Sequence, residues 1–202
     1  MDLLNLYFYT GIPILTVNLL FYSITSLSTS ITSSQNVFKF IYETTDSDYD
    51  IYKRQIDSTD LENKLRIVKG LVYDILRAYA HSQYEFNLLV EEITNPFILS
   101  NFCSNIEFEL VDIKSGSKDI FTRLPEPVKI SLNSLSLIVE KINGILLKIK
   151  EKIQAHTQLY FKSWRNFCLK REISELKFET ALLNSRLDLF FQLLGAYNIR
   201  IK

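Results

Sequence analysis

The side chains in this 202-residue chain best suited to holding a metal or attacking a substrate are two histidines, His81 and His156, and two cysteines, Cys103 and Cys168. Neither histidine has a partner at metalloprotease or zinc-finger spacing, and neither cysteine belongs to a Cys-x-x-Cys run. His156 falls on the apolar seam of a helical pattern, where a polar group accommodated in a helix interface is expected. The cysteines are expected to be small, buried or half-buried hydrophobes. A phosphate cradle needs clustered glycines ahead of a Lys-Ser or Lys-Thr pair, but Gly11, Gly70, Gly116, Gly144 and Gly195 stand singly. The carboxylate pairs Glu91-Glu92 and Glu107 with Glu109 suit acid–base work in type, yet on amphipathic helices such pairs form a solvated face. The expectation is a chain that is not an enzyme, with no cofactor, no metal and no small-molecule substrate.

Charge distribution carries more information than any single residue. The totals cancel, 23 Lys+Arg against 23 Asp+Glu, and exclude an argument from net charge for nucleic-acid binding. Between Glu43 and Asp112, acids outnumber bases fourteen to six. From Lys141 to Arg171 eight bases face Glu151 alone. Pairing of an acidic with a basic helix is one consequence, within the chain or between subunits. The other is a contact surface for anionic lipid or nucleic acid within 141–171, using Lys148, Lys150, Lys152, Lys162, Arg165, Lys170 and Arg171 interleaved with Tyr160, Phe161, Trp164 and Phe167. Lipid is favoured, because the acidic half repels the phosphates of a nucleic acid.

The elements that must position these groups are helical. Five Gly and four Pro are too few for the turns of a sandwich, barrel or Rossmann fold. Leu3 to Phe38 carries no formal charge, a longer run than the roughly 20 residues that cross a bilayer as a helix. Its apolar part, Leu3–Tyr22, predicts a membrane anchor made by Leu3, Leu4, Tyr7, Phe8, Ile12, Ile14, Leu15, Val17, Leu19, Leu20, Phe21 and Tyr22. A buried core helix and a cleaved signal peptide are the alternatives; no Lys or Arg precedes the run, which argues against the latter. Ile24, Leu27 and Ile31 continue the helical spacing among Ser and Thr, either as a close-packing face or as a polar linker. Lys39, Lys53 and Arg54 follow the run, which places the bulk of a single-pass protein on the cytoplasmic side.

Downstream, Glu43–Asp50 reads as an acidic linker, and Thr59 with Glu62 as a capping box. Leu61, Leu65, Val68, Val72, Ile75, Tyr79, Phe86 and Ile93 then predict one long amphipathic helix ending near Asn95-Pro96. Residues 97–124 fit a helix, with a β-hairpin through Ser115-Gly116-Ser117 as runner-up. Pro127 opens the next helix, whose seam is Val128, Leu132, Leu135, Val139, Ile142, Leu146, Ile149, Ile153 and Tyr160. A second seam, Leu169, Ile173, Leu176, Leu183, Leu187, Phe190 and Leu194, differs in phase; with no Gly or Pro between them, one long bent helix is expected, capped at Gly195.

The resulting expectation is all-α: an N-terminal hydrophobic, transmembrane helix followed by an elongated bundle or coiled coil of three to four long helices. Residues 1–42 form the anchor with its Ser/Thr-rich extension, 43–58 the acidic linker and 59–202 the bundle. Such a chain fits a membrane-anchored scaffold or tether subunit of a larger assembly, including a minor structural protein linking a viral shell to membrane. Its expected partners are a membrane and proteins or a second copy met through helical seams, with nucleic acid disfavoured. A membrane-active or pore-forming helical protein is the alternative from another class.

Overall fold

The computed structural model describes residues 13–44, 49–79, 84, 87, 90–91, 124–158 and 167–197. Among them lie five helices and no strand: α1 (Pro13–Glu43), α2 (Asp50–Asp57), α3 (Leu61–Tyr79), α4 (Glu126–Thr157) and α5 (Lys170–Ala196). Helix α4 is the spine. It packs against α1 along one side and α5 along another, while α3 lies against α1 and touches α5.

The predicted seams form the core. On α3, Leu61, Leu65, Val68, Val72 and Ile75 are buried, and on α4 the whole set from Val128 to Ile153 is buried. Each fully buried Leu, Ile or Val contributes roughly 1.5–3 kcal/mol relative to exposure, so the periodicity itself holds these helices in place. Tyr79 and Tyr160 fall outside the described side chains, as do the 97–124 alternatives other than Leu124, which is buried.

Helix α1 corrects the reading of the N-terminus. The described helix long and apolar enough to cross a membrane is α4, not the N-terminal one, and half of its most apolar window is buried inside the protein. From Leu20 onward α1 is a core element: Leu20, Ile24, Leu27, Ile31, Val37, Phe38 and Ile41 are all buried. Its hydroxyl residues are a packing face rather than a linker. Ser23, Thr25, Ser28, Ser30 and Ser34 are buried, and their small side chains let two backbones approach closely. Thr29 donates to the Thr25 carbonyl at 2.7 Å and Thr32 to the Ser28 carbonyl at 3.0 Å, which satisfies hydroxyls along the helix itself.

Polar contacts across the α1–α4 interface fix its register. Ser23 donates to Asn133 at 2.8 Å, Ser26 to Glu140, and Ser34 to Asn143 at 3.3 Å. Lys150 sits over the Phe40 ring, 5.4 Å from its centroid. Both partners climb together, with separations of 109 to 114 residues along the hydrogen-bonded set, so α1 and α4 run parallel.

Four local expectations are also corrected. The stretch 43–58 holds a helix, α2, flanked by the buried ring of Tyr49 and burying Ile56. Its acidic letters lie on the outside of an amphipathic turn. The Thr59 hydroxyl donates back to the Ile56 carbonyl at 2.6 Å and closes α2 instead of capping α3; Asp60, at φ 53°, makes the reversal and accepts the first α3 bond from Lys64. The chain between Thr157 and Lys170 is not one bent helix: residues 167–169 are non-helical, and α5 doubles back along α4 so that both seams, whatever their phase, enter one core. Gly195 lies inside α5, whose C-cap is Tyr197, and no described glycine has a positive φ.

Candidate functional site

Four features of the described surface and core bear on function. The first is an aromatic pin where α2, the end of α4 and the entry to α5 meet. Phe167 lies between Tyr49 (ring centroids 5.0 Å apart), Tyr52 (5.7 Å) and His156 (4.7 Å). The Tyr52 hydroxyl donates to the Phe167 carbonyl at 3.1 Å, and Tyr49 and His156 Nδ1 share a hydrogen bond of 2.8 Å. His156 is a buried seam residue with its ring held between Tyr49 and Phe167; its Nε2 is buried and meets no hydrogen-bond partner among the described residues. At the other end of α2, the Tyr42 hydroxyl donates to Asp57. Burial first, and then that carboxylate, push the phenol well above its ordinary value.

The second feature is the basic segment. Its described members separate into two groups. Lys150 is occupied by the Phe40 ring, Lys152 binds Glu172 at 2.7 Å, and Arg171 binds Glu175 at 2.9 Å. Lys148 and Lys170 are exposed and form no ion pair among the described residues. Burial works to raise the Glu172 carboxyl, but the Lys152 hydrogen bond, a backbone hydrogen bond and the charges of Lys152 and Arg171 outweigh it and hold the group below its ordinary value. The Glu175 hydrogen bond and charge raise Arg171 further above its already high value. Lys162, Arg165, Tyr160, Phe161 and Trp164 lie outside the described residues, so the segment is brought together only in part. Cys168, expected as a buried hydrophobe, is free and exposed; Cys103 and His81 lie outside the described residues.

The third feature is the N-terminal apolar segment. Leu3, Leu4, Tyr7, Phe8 and Ile12 lie outside the described residues, and of Ile14, Leu15, Val17, Leu19 and Phe21 only the helical backbone is described. Leu20 is buried in the core, and Tyr22 is exposed at 39%.

The fourth feature was not read from the sequence. Helix α5 is an outer helix that buries a single narrow stripe, from Leu169 to Leu194. Roughly 130° round its axis, at 100° per residue, runs a second apolar line: Phe178, Leu182, Leu189 and Leu193. Phe178 is 63% and Leu189 42% exposed, while Leu182 and Leu193 are half-buried. The steps of four, seven and four residues were legible as a heptad pattern, but the stronger inner seam on the same helix masked them. Among the described residues no group of three or more His, Cys, Asp and Glu is placed to hold a metal ion. Comparison with protein-family models, with curated proteins and with solved structures gives no match.

Proposed function

We propose that this chain is a non-catalytic, membrane-tethered helical scaffold: an elongated bundle held at a membrane by its N-terminal apolar segment and joined to a larger assembly through an open helix face. The observation that carries the assembly role is the outer stripe of α5, an apolar line at heptad spacing whose Phe178 and Leu189 are exposed while Leu193 is half-buried and Leu182 packs partly against the core. Support for the tether comes from the α1–α4 register. An offset of 109 to 114 residues sets Glu126, where α4 starts, level with about Thr16, so the charge-free run continues upstream past that end of α4. The apolar segment would therefore hand over from the membrane to the core between about Thr16, level with the start of α4, and Leu20, which is buried. The later Lys39, Lys53 and Arg54 favour a cytoplasmic body.

A second reading rests on α4, whose length and apolarity suffice to cross a membrane. In it, α1 and α5 release α4 for insertion, and the protein is membrane-active rather than permanently tethered. The buried seam already accounts for α4's apolarity without a bilayer, which ranks this reading below the first.

Flotation with liposomes separates them, using the full chain beside a variant lacking residues 2–12, which retains all of α1. The tether predicts that the full chain floats and that the deletion stays in solution with the same helicity and Tm. If both stay in solution, the tether is wrong. Release of a trapped dye by both forms would favour the membrane-active protein.

A further inference from the structure

The outer stripe of α5 has a self-complementary pattern, and we infer that its occupant is a second copy of this chain, packed α5 against α5 antiparallel about a two-fold axis. The inference rests on the scaffold reading and names the partner of its open face.

In heptad terms Phe178, Leu182, Ser185 and Leu189 occupy alternating core positions of the outer seam, with Glu175 and Gln192 at its two ends. Reversing a second copy brings Phe178 opposite Leu189 and Leu182 opposite Ser185, each contact occurring twice, as an isologous interface requires. Leu–Ser layers at the centre leave room for the bulkier Phe–Leu layers on either side, and Glu175 meets Gln192 without a charge conflict.

The flanking charges select this orientation. In an antiparallel pair the positions that follow the core line meet their own kind, and here these are Glu179 and Arg186. Glu179 of one copy falls opposite Arg186 of the other, twice by symmetry. On the opposite flank Ala181 meets Asp188, so no like charges are forced together. A parallel pair would set Ser174 against Glu179, Ala181 against Arg186 and Asp188 against Leu193, and no opposite charges would meet.

Glu179 is half-buried and Arg186 exposed on the flank of the stripe, and neither forms an ion pair among the described residues, so both charges are free to pair across the two-fold axis.

The test is sedimentation equilibrium of the full chain in mild detergent, with thermal melts and flotation on the same preparations. The wild type is expected to show a monomer–dimer equilibrium. Glu179→Arg and Arg186→Glu each place like charges across the two-fold axis and weaken the dimer roughly ten-fold, and the double exchange restores it. Leu189→Glu abolishes the dimer and leaves the protomer's helicity unchanged, because the side chain is 42% exposed in the protomer.

A wild-type chain that is monomeric at every concentration overturns the inference, as does a dimer indifferent to the charge reversals. A large fall in Tm for Leu189→Glu without change in oligomeric state also overturns it, since the stripe is then covered within its own chain. Flotation reports on the tether alone, so a dimer that fails while flotation persists removes this partner and leaves the membrane attachment standing.

Discussion

Tyr49 and His156 lie 107 residues apart and are joined by a hydrogen bond of 2.8 Å inside the core, where the phenol supplies the sole described partner of the imidazole. One residue precedes the short helix α2 and the other ends the central helix α4, so this bond and the Phe167 ring beside it fasten the first third of the chain to the last.

Tyr49→Phe keeps the ring contacts but leaves both imidazole nitrogens buried and unpartnered. A loss of about 1–3 kcal/mol in unfolding free energy is expected from chemical denaturation. Tyr49→Ala removes the ring as well and should cost about 3–5 kcal/mol. An unchanged unfolding free energy for Tyr49→Phe would show that the hydrogen bond contributes nothing, and equal losses for the two variants that the ring adds nothing to it.

The Lys152–Glu172 pair gives stability a pH dependence. The folded carboxyl titrates below its ordinary value of 4.5, so its contribution is present above that value and is lost as pH falls through the lower folded one. Melts across the acid range should show a constant gap between wild type and Glu172→Gln above pH 4.5, and a shrinking gap below it. Lys152→Ala should be worse than Glu172→Gln at neutral pH, because it strands a buried carboxylate whose second oxygen already lacks a partner.

The α1–α4 interface should behave as protein core rather than as lipid-facing surface. Leu27→Ala is expected to cost about 2–5 kcal/mol. Ser34→Leu, at a fully buried position facing Asn143, should cost about 1–3 kcal/mol by overpacking. Urea unfolding measures both, and unchanged midpoints would mean that α1 does not dock in solution.

Among the basic residues, binding and folding should separate by position. Lys148→Glu with Lys170→Glu is expected to weaken association with vesicles rich in anionic lipid by several-fold without moving Tm, since both side chains are exposed and unpaired among the described residues. Lys152→Glu should lower Tm instead, by setting a like charge against Glu172 at a contact of 2.7 Å. Vesicle binding that is indifferent to Lys148 and Lys170 would remove them as lipid contacts.

What the sequence disclosed was whatever repeats along one helix. The seams from Leu61 to Ile75, from Val128 to Ile153 and from Leu169 to Leu194 are buried as their spacing requires. What it concealed depends on pairing across the chain. Ser23, Ser26 and Ser34 look like a linker until Asn133, Glu140 and Asn143 are placed beside them. Tyr49 sits at the edge of an acidic run whose charges outweigh its one buried ring. The reversal after Thr157 has neither Gly nor Pro; its visible trace was the phase shift between two seams, which equally suits a bend. Among the predicted anion contacts, Lys152 and Arg171 were indistinguishable from Lys148 and Lys170, since only geometry shows which charges are already neutralised at home.

The parallel pairing of α1 with α4 also sets a timetable. Antiparallel neighbours can zip up as they emerge from the ribosome, but α1 must wait until the residues about 110 positions later have been made. At roughly 5–20 residues per second the delay is roughly 5–20 s, an interval in which α1 has α3 but not its main partner α4 to cover it.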